Sequence, residues 1–207
     1  MGYSGTGIPQ TGAPAVENLP LNMIRHHLDG IPQCDLPPPY SFRWYETGDA
    51  NAWLQVHLEA DRYSTLNAET FRDSFGTDDG LLADRQFYVC DGGGQAVGTA
   101  TAWFDDDYNG RRFGRIHWVA LVPAVQGRGL ANAMLTLACN RLVELGHDRA
   151  YLDTATVRTE ALNLYLKFGF VPDLRRPTCL AAWRSVRPHI RPLYWERAVV
   201  AVPELAR

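Results

Sequence analysis

The residues of this chain best placed to do chemistry are two glycines in the run Leu121-Val122-Pro123-Ala124-Val125-Gln126-Gly127-Arg128-Gly129-Leu130-Ala131. Ile116 to Val122 is rich in β-branched and aromatic residues, whereas Leu130, Met134, Leu137, Ala138, Leu142 and Leu145 recur at helical spacing, so the run joins a strand to a helix. The first amides of a helix have no partner within it and the helix dipole adds positive charge there, which makes such a turn a cradle for phosphates. Gly127 and Gly129 let the backbone approach a ligand and accept positive φ. On the strand that feeds the loop, His117 alternates with Val119 and Leu121, which would put all three on one face. An imidazole with an ordinary pKa of about 6.5 suits proton abstraction near neutrality.

Spacing separates three glycine-loop chemistries. A nucleoside-triphosphate loop requires a Lys-Ser or Lys-Thr pair, which does not follow these glycines, and a dinucleotide loop requires a third glycine where Asn132 stands. What fits is Gln-x-x-Gly-x-Ala at Gln126, Gly129 and Ala131, which resembles the pyrophosphate-binding motif of the GNAT superfamily of N-acetyltransferases. A second stretch, Ala161-Leu162-Asn163-Leu164-Tyr165-Leu166-Lys167-Phe168-Gly169-Phe170, is similar to that family's A-x-x-L-Y-x-K-x-G-F pattern. The resemblance covers roughly Tyr40 to Val171. Ala131 replaces a commoner glycine, and Arg158 stands where many members carry an asparagine that contacts the cofactor.

The resemblance implies that acetyl-coenzyme A is the cosubstrate and that Gln126, Gly127, Arg128, Gly129, Leu130 and Ala131 hold its pyrophosphate. It also implies a pantetheine arm along Val119, Ala120 and Leu121, with the Leu121 amide as oxyanion donor. Tyr165 is then the candidate general acid for the departing thiolate. The base is His117 or Asp153, the latter at the end of the neighbouring strand, where some members place a carboxylate. The implied activity is N-acetyl transfer by direct attack of a primary amine on a small molecule or peptide. The competing class is a non-catalytic acyl-coenzyme A sensor or scaffold. Trp53, Trp118, Trp183 and Trp195 could shape an acceptor pocket or simply fill core.

The elements that must position these groups follow from pattern. Tyr40 to Glu46 reads as a first strand; Trp53, Val56, His57 and Ala60 stripe a helix; Asn67 caps a second, with Phe71 and Phe75 one turn apart. Gln86 to Cys90, Ala96 to Phe104 and Arg115 to Val122 form a meander. After the loop and its helix come a strand at Ala150 to Thr154, a helix through Phe168 and a strand at Phe170-Val171. Strand, helix, strand implies a parallel pair. The expected fold is α/β (α+β): a mixed, mostly antiparallel sheet flanked by helices, with a splayed parallel pair. Beyond Asp173 a short helix and then a strand near Leu193 to Ala198 are expected.

Residues 1–39 read as a tail and extended arm, with Leu21 to Pro39 held down by a few apolar side chains, and 40–207 as the acetyltransferase-like domain. Whether the arm packs on its own domain or on a second copy, as in a homodimer, stays open. The net charge of -3 argues against nucleic acid as main partner, and no apolar run reaches a membrane span. Cys34, Cys90, Cys139 and Cys179 form no CxxC pair, so neither a metal nor a redox dithiol is expected, and the cytoplasm is the default location. The Asp105-Asp106-Asp107 run reads as a solvated loop.

Overall fold

The computed structural model describes residues 17–206; the first part of the tail lies outside them. In chain order the elements are β1 (Pro20–Arg25), β2 (Ser41–Trp44), α1 (Ala50–Ala60), α2 (Ala68–Phe75), α3 (Asp79–Ala83), β3 (Gln86–Cys90), β4 (Ala96–Asp105) and β5 (Phe113–Leu121). They continue as α4 (Leu130–Glu144), β6 (Ala150–Ala155), α5 (Thr159–Lys167), β7 (Val171–Asp173), α6 (Cys179–Val186) and α7 (Pro192–Ala201). The strands form one sheet in the order β2-β3-β4-β5-β6-β1-β7. Every pairing is antiparallel except β5 with β6. This is the mixed, mostly antiparallel sheet with one parallel pair that the sequence implies.

Alternation along β3 shows how the sheet divides two cores. Phe87 and Val89 enter a large cluster built from α4, α5, α6 and α7, whereas Tyr88 and Cys90 enter a second cluster with Trp53, Phe71 and Phe75 of α1 and α2. α2 starts where expected: the Asn67 side chain accepts from the amides of Glu69 and Thr70, while the Thr70 hydroxyl accepts from the Asn67 amide. α4 buries Leu130, Met134, Ala138 and Leu142 of the expected stripe and adds Leu135 and Cys139, whereas Leu137 and Leu145 are only half-buried.

Three expectations are corrected. The stretch expected as a loosely held arm opens with β1, a strand inside the sheet, antiparallel to β6 from Pro20↔Ala155 to Arg25↔Ala150 and to β7 on its other side. Leu21 and Met23 alternate into the core, a pattern too short to mark a strand beside so many prolines. The rest of the arm lies along α4: the Leu28 amide bonds the Asp148 carbonyl at 2.8 Å, and the Thr136 hydroxyl bonds the Pro32 carbonyl at 2.8 Å. The strand expected near Leu193 to Ala198 is the helix α7, because Pro192 fits a first helical turn and Trp195 and Ala198 are buried three residues apart. The short helix α3 was not expected; Asp78 caps it by accepting from the Leu81 amide. The aspartate run is the solvated turn expected at Asp106 and Asp107, which are exposed, whereas Asp105 ends β4 and accepts from the Tyr151 hydroxyl.

The parallel contact that anchors β5 to β6 is short. It comprises Gly114↔Ala150 and Arg115↔Tyr151 and sits beside α4. A Cβ at Gly114 would come within 2.9 Å of both Leu142 methyl carbons and 3.2 Å of the Arg149 carbonyl oxygen. Gly114→Ala should therefore lower stability by about 1–3 kcal/mol through overpacking. Urea denaturation measures this; an unchanged midpoint would mean that the pair has slack.

Candidate active site

Beyond Arg115 and Tyr151 the two parallel strands separate, leaving a cleft between their edges. β5 remains bonded to β4, but its register slips: Thr101 faces His117 while Thr99 faces Ala120, so Trp118 and Val119 share the place opposite one residue, Ala100. This is a β-bulge, and Trp118 adopts φ 49°, a left-handed conformation that costs a residue with a Cβ about 1–2 kcal/mol. The Trp118 ring lies 5.0 Å from Trp53 and 5.1 Å from His57, so α1 braces the bulge.

The bulge corrects one inference from alternation. His117 and Ala120 face residues two apart on β4 and so share a face, whereas Leu121 faces Gly98 and points to the other side. His117 therefore does not share its face with Leu121. The amide of Val122 bonds the Val97 carbonyl at 2.9 Å. Because strand amides alternate in direction, Ala120 also turns toward β4 and the Leu121 amide turns into the cleft. Of the three residues expected beside a pantetheine arm, Val119 sits in the bulge, Ala120 supports pairing and Leu121 presents the donor.

The loop after β5 is a cradle of amides. Gly127 and Gly129 have φ of 75° and 86°, and Gly129 caps α4 with no side-chain bond to its first turn. Among the described residues, the amides of Gly127, Arg128, Gly129, Leu130 and Ala131 donate to no backbone carbonyl. A Cβ at either glycine would meet nothing within 4 Å, so the conformation and not crowding requires glycine. Gln126 differs from the expectation: its amide is spent on the Pro123 carbonyl, and its side chain braces the loop by donating to the Leu121 carbonyl at 2.9 Å. Arg128 is held at the loop by the Tyr40 hydroxyl at 2.9 Å and the Ala124 carbonyl at 3.2 Å. These open amides suit a pyrophosphate.

Tyr165 belongs to the core on the α4 side, whereas His117 and Asp153 occupy the opposite face of the sheet, on the two strands that part. Burial pushes the Tyr165 hydroxyl up to about 12, with Arg158 pulling it back down, so it stays protonated at neutral pH. Burial, together with Arg115 and His57, holds His117 well below the usual imidazole range, so it is neutral at pH 7 and a weaker base than a free imidazole. Asp153 is engaged at both oxygens: Asn22 donates to Oδ1 and Arg115 donates to Oδ2 at 2.8 Å.

Four residues outside the expected site set complete the surroundings. Lys167 crosses from α5 to bond Asn132 Oδ1 at 2.5 Å, which puts an ammonium beside the start of α4. Its place in the second motif was the available signal. His57 was assigned to a packing stripe, and Arg115 lay on a strand without a motif. Arg158 is paired with Asp61 at 2.7 Å, joining the end of α1 to the start of α5. Among the described residues no group of three His, Cys, Asp or Glu is placed to hold a metal ion, and no helix is long and apolar enough to cross a membrane.

Comparisons with known proteins agree with this fold. The model of the acetyltransferase (GNAT) family matches residues 49–170. A curated mycothiol acetyltransferase of Pseudarthrobacter chlorophenolicus is 28% identical over 169 residues, covering 76% of this chain and 50% of its own. This chain thus spans about half the length of that relative. Among solved structures, a GCN5-related N-acetyltransferase from Sphaerobacter thermophilus superposes with a TM-score of 0.60 at 21% identity, over 75% of this chain and 50% of its own. The NatC complex bound to Gag peptide and CoA gives 0.52 at 17% identity, over 61% of this chain and 80% of the other. At such identities the two structures show a shared fold.

The buried His57 makes a pH dependence. Burial lowers its pKa to about 4, against the pull of Asp61, while the unfolded value is near 6.5. Between those values the unfolded chain binds more protons, so stability is full above pH 6.5 and is lost as pH falls toward 4. Between pH 7 and 4, wild type should lose about 3 kcal/mol more than His57→Leu. Urea titrations at each pH compare the two; parallel losses would show that His57 is not the group that titrates.

Proposed function

Because the chain belongs to the acetyltransferase (GNAT) family, we propose that it transfers an acetyl group from acetyl-coenzyme A to a primary amine of a small molecule or peptide by direct attack. The observation that carries this reading is the alignment of two donor sets along one cleft. The open amides of Gly127 to Ala131 lie at the loop end, and the Leu121 amide lies on the strand edge leading from it.

Each group then has a task. The loop amides and the charges of Arg128 and Lys167 hold the pyrophosphate, and the β5 edge orients the arm that carries the thioester. The Leu121 amide donates to the carbonyl oxygen as negative charge develops there. The acceptor approaches from the α1 side as the neutral amine, and His117 relays to solvent the proton that the nitrogen releases once it has bonded the carbonyl carbon. Tyr165, on the other side of the sheet, donates to the departing sulfur. Transfer of a proton from a phenol near 12 to a thiolate of ordinary pKa about 8.5 is uphill, so Tyr165 acts first as a hydrogen-bond donor. An acyl-coenzyme A sensor would need the loop and the strand edge but neither His117 nor Tyr165.

Acetyl-coenzyme A should raise the melting temperature of the chain, because it binds the folded state. Tyr165→Phe should keep that shift yet lower kcat about 100-fold in a thiol-release assay with a panel of amines. A turnover rate unchanged across pH would remove Tyr165 from the chemistry. A melting shift with no amine turned over by wild type would favour the sensor.

A further inference from the structure

We propose that the acceptor is an arylalkyl amine, a primary amine joined by two or three carbons to an aromatic ring and carrying no second positive charge, and that Trp103 and Arg115 hold the ring. This inference rests on the transfer reading above and names the acceptor's chemical class.

The pairing register sets two rows of side chains on the α1 side of the sheet. In one row Thr101 of β4 faces His117 of β5; in the next, Trp103 faces Arg115, which in turn faces Tyr151 of β6. The second row is the last at which β5 and β6 are bonded. An acceptor whose nitrogen lies beside His117 has the cosubstrate toward the open end of the gap, so its body extends over this second row. Successive rows on one face of a strand are about 7 Å apart, a span that two or three carbons cover between a nitrogen and a ring.

The surroundings of His117 are aromatic. Its imidazole lies 5.4 Å from Phe75 and 5.7 Å from Trp118, and Phe75 in turn lies 5.4 Å from Trp103, edge to face. Phe75 is buried, whereas Trp103, Arg115, His117 and Trp118 each keep part of their surface open. What an acceptor meets there is two indoles, an imidazole and a guanidinium.

Arg115 distinguishes an aromatic ring from other apolar groups. Its guanidinium lies 5.4 Å over the Tyr151 ring, and Nη2 donates to Asp153 at 2.8 Å, so the plane is held. Tyr151 itself stacks on Tyr108 at 3.6 Å, which fixes the ring beneath. The Arg115 side chain is still 27% exposed, and a planar cation covered by a ring on one face presents the other to a second ring. The same cation repels a second ammonium. Asp153, the carboxylate that would attract one, is already engaged at both oxygens by Asn22 and Arg115.

The test uses the full chain with acetyl-coenzyme A and four amines: phenethylamine, 3-phenylpropylamine, 2-cyclohexylethylamine and butane-1,4-diamine, with kcat/KM referred to the neutral amine. The better phenyl compound should exceed the cyclohexyl compound by about threefold or more, since only the aromatic ring gains from the cation, and the diamine by about tenfold or more. Arg115→Gln should erase the difference between phenyl and cyclohexyl. Trp103→Leu should lower kcat/KM for the phenyl compounds about tenfold, and Trp103→Phe should restore most of it; all three variants should keep the acetyl-coenzyme A melting shift. Protection of the chain by each amine with coenzyme A present, read in thermal denaturation, ranks the four without turnover. Equal or better use of the cyclohexyl compound or the diamine in both readouts, or a phenyl preference that survives in Arg115→Gln, overturns the proposal. If acetyl-coenzyme A produces no melting shift, the transfer reading fails, and protection by the amines alone still decides whether the ring is recognised; protection by none of them overturns the proposal.

Discussion

The structure depends on where two parallel strands stop bonding. β5 and β6 are joined at Gly114↔Ala150 and Arg115↔Tyr151, and no further pair follows. Past that point each strand keeps its other neighbour, β4 for β5 and β1 for β6, so the sheet stays intact while two inner edges face one another across a gap. Unbonded strand edges are costly when buried and invite a partner that brings its own donors and acceptors. The close approach at Gly114 fixes the closed end of the gap, and the glycine loop after Leu121 stands at the open end. An elongated ligand with amide groups along its length and phosphate at one end matches both.

The bulge at Trp118 gives the gap its chemical polarity. Without the extra residue, strict alternation would place His117 on the same face as Leu121. With it, the imidazole turns toward the α1 side, and the Leu121 amide still points into the gap. The strain of a left-handed tryptophan persists because its ring is gripped by Trp53 and His57, which ties α1 to the geometry of the strand edge. Arg158 and Asp61 make a second tie, from the end of α1 to the start of α5. Two ties from one helical wall make that wall the side from which an acceptor is oriented.

Much of this was legible in the sequence, and for identifiable reasons. The α4 stripe, the Asn67 cap and the meander of β3, β4 and β5 rest on local pattern, and local pattern decided them. Gly127 and Gly129 showed a loop requiring positive φ, and the two motifs showed its relation to Tyr165. The bulge was hidden because one inserted residue leaves composition unchanged while reversing every later side chain. β1 was hidden because its partners lie more than 120 residues away in β6 and β7. α7 was mistaken because a segment with tryptophan, valine and proline has the composition of an edge strand, and only burial at Trp195 and Ala198 distinguishes the two. The pairings of Asp153 with Arg115 and of Arg158 with Asp61 are contacts between distant segments that no spacing announces.

The central claim is that one ligand occupies both the loop cradle and the gap between β5 and β6. Amide hydrogen exchange measured residue by residue, with and without coenzyme A, tests it most directly. The account predicts slowed exchange at Leu121 and across Gly127 to Ala131 together, with Val122, already bonded to Val97, changed little. Protection of the loop without Leu121, or protection at neither, would contradict it.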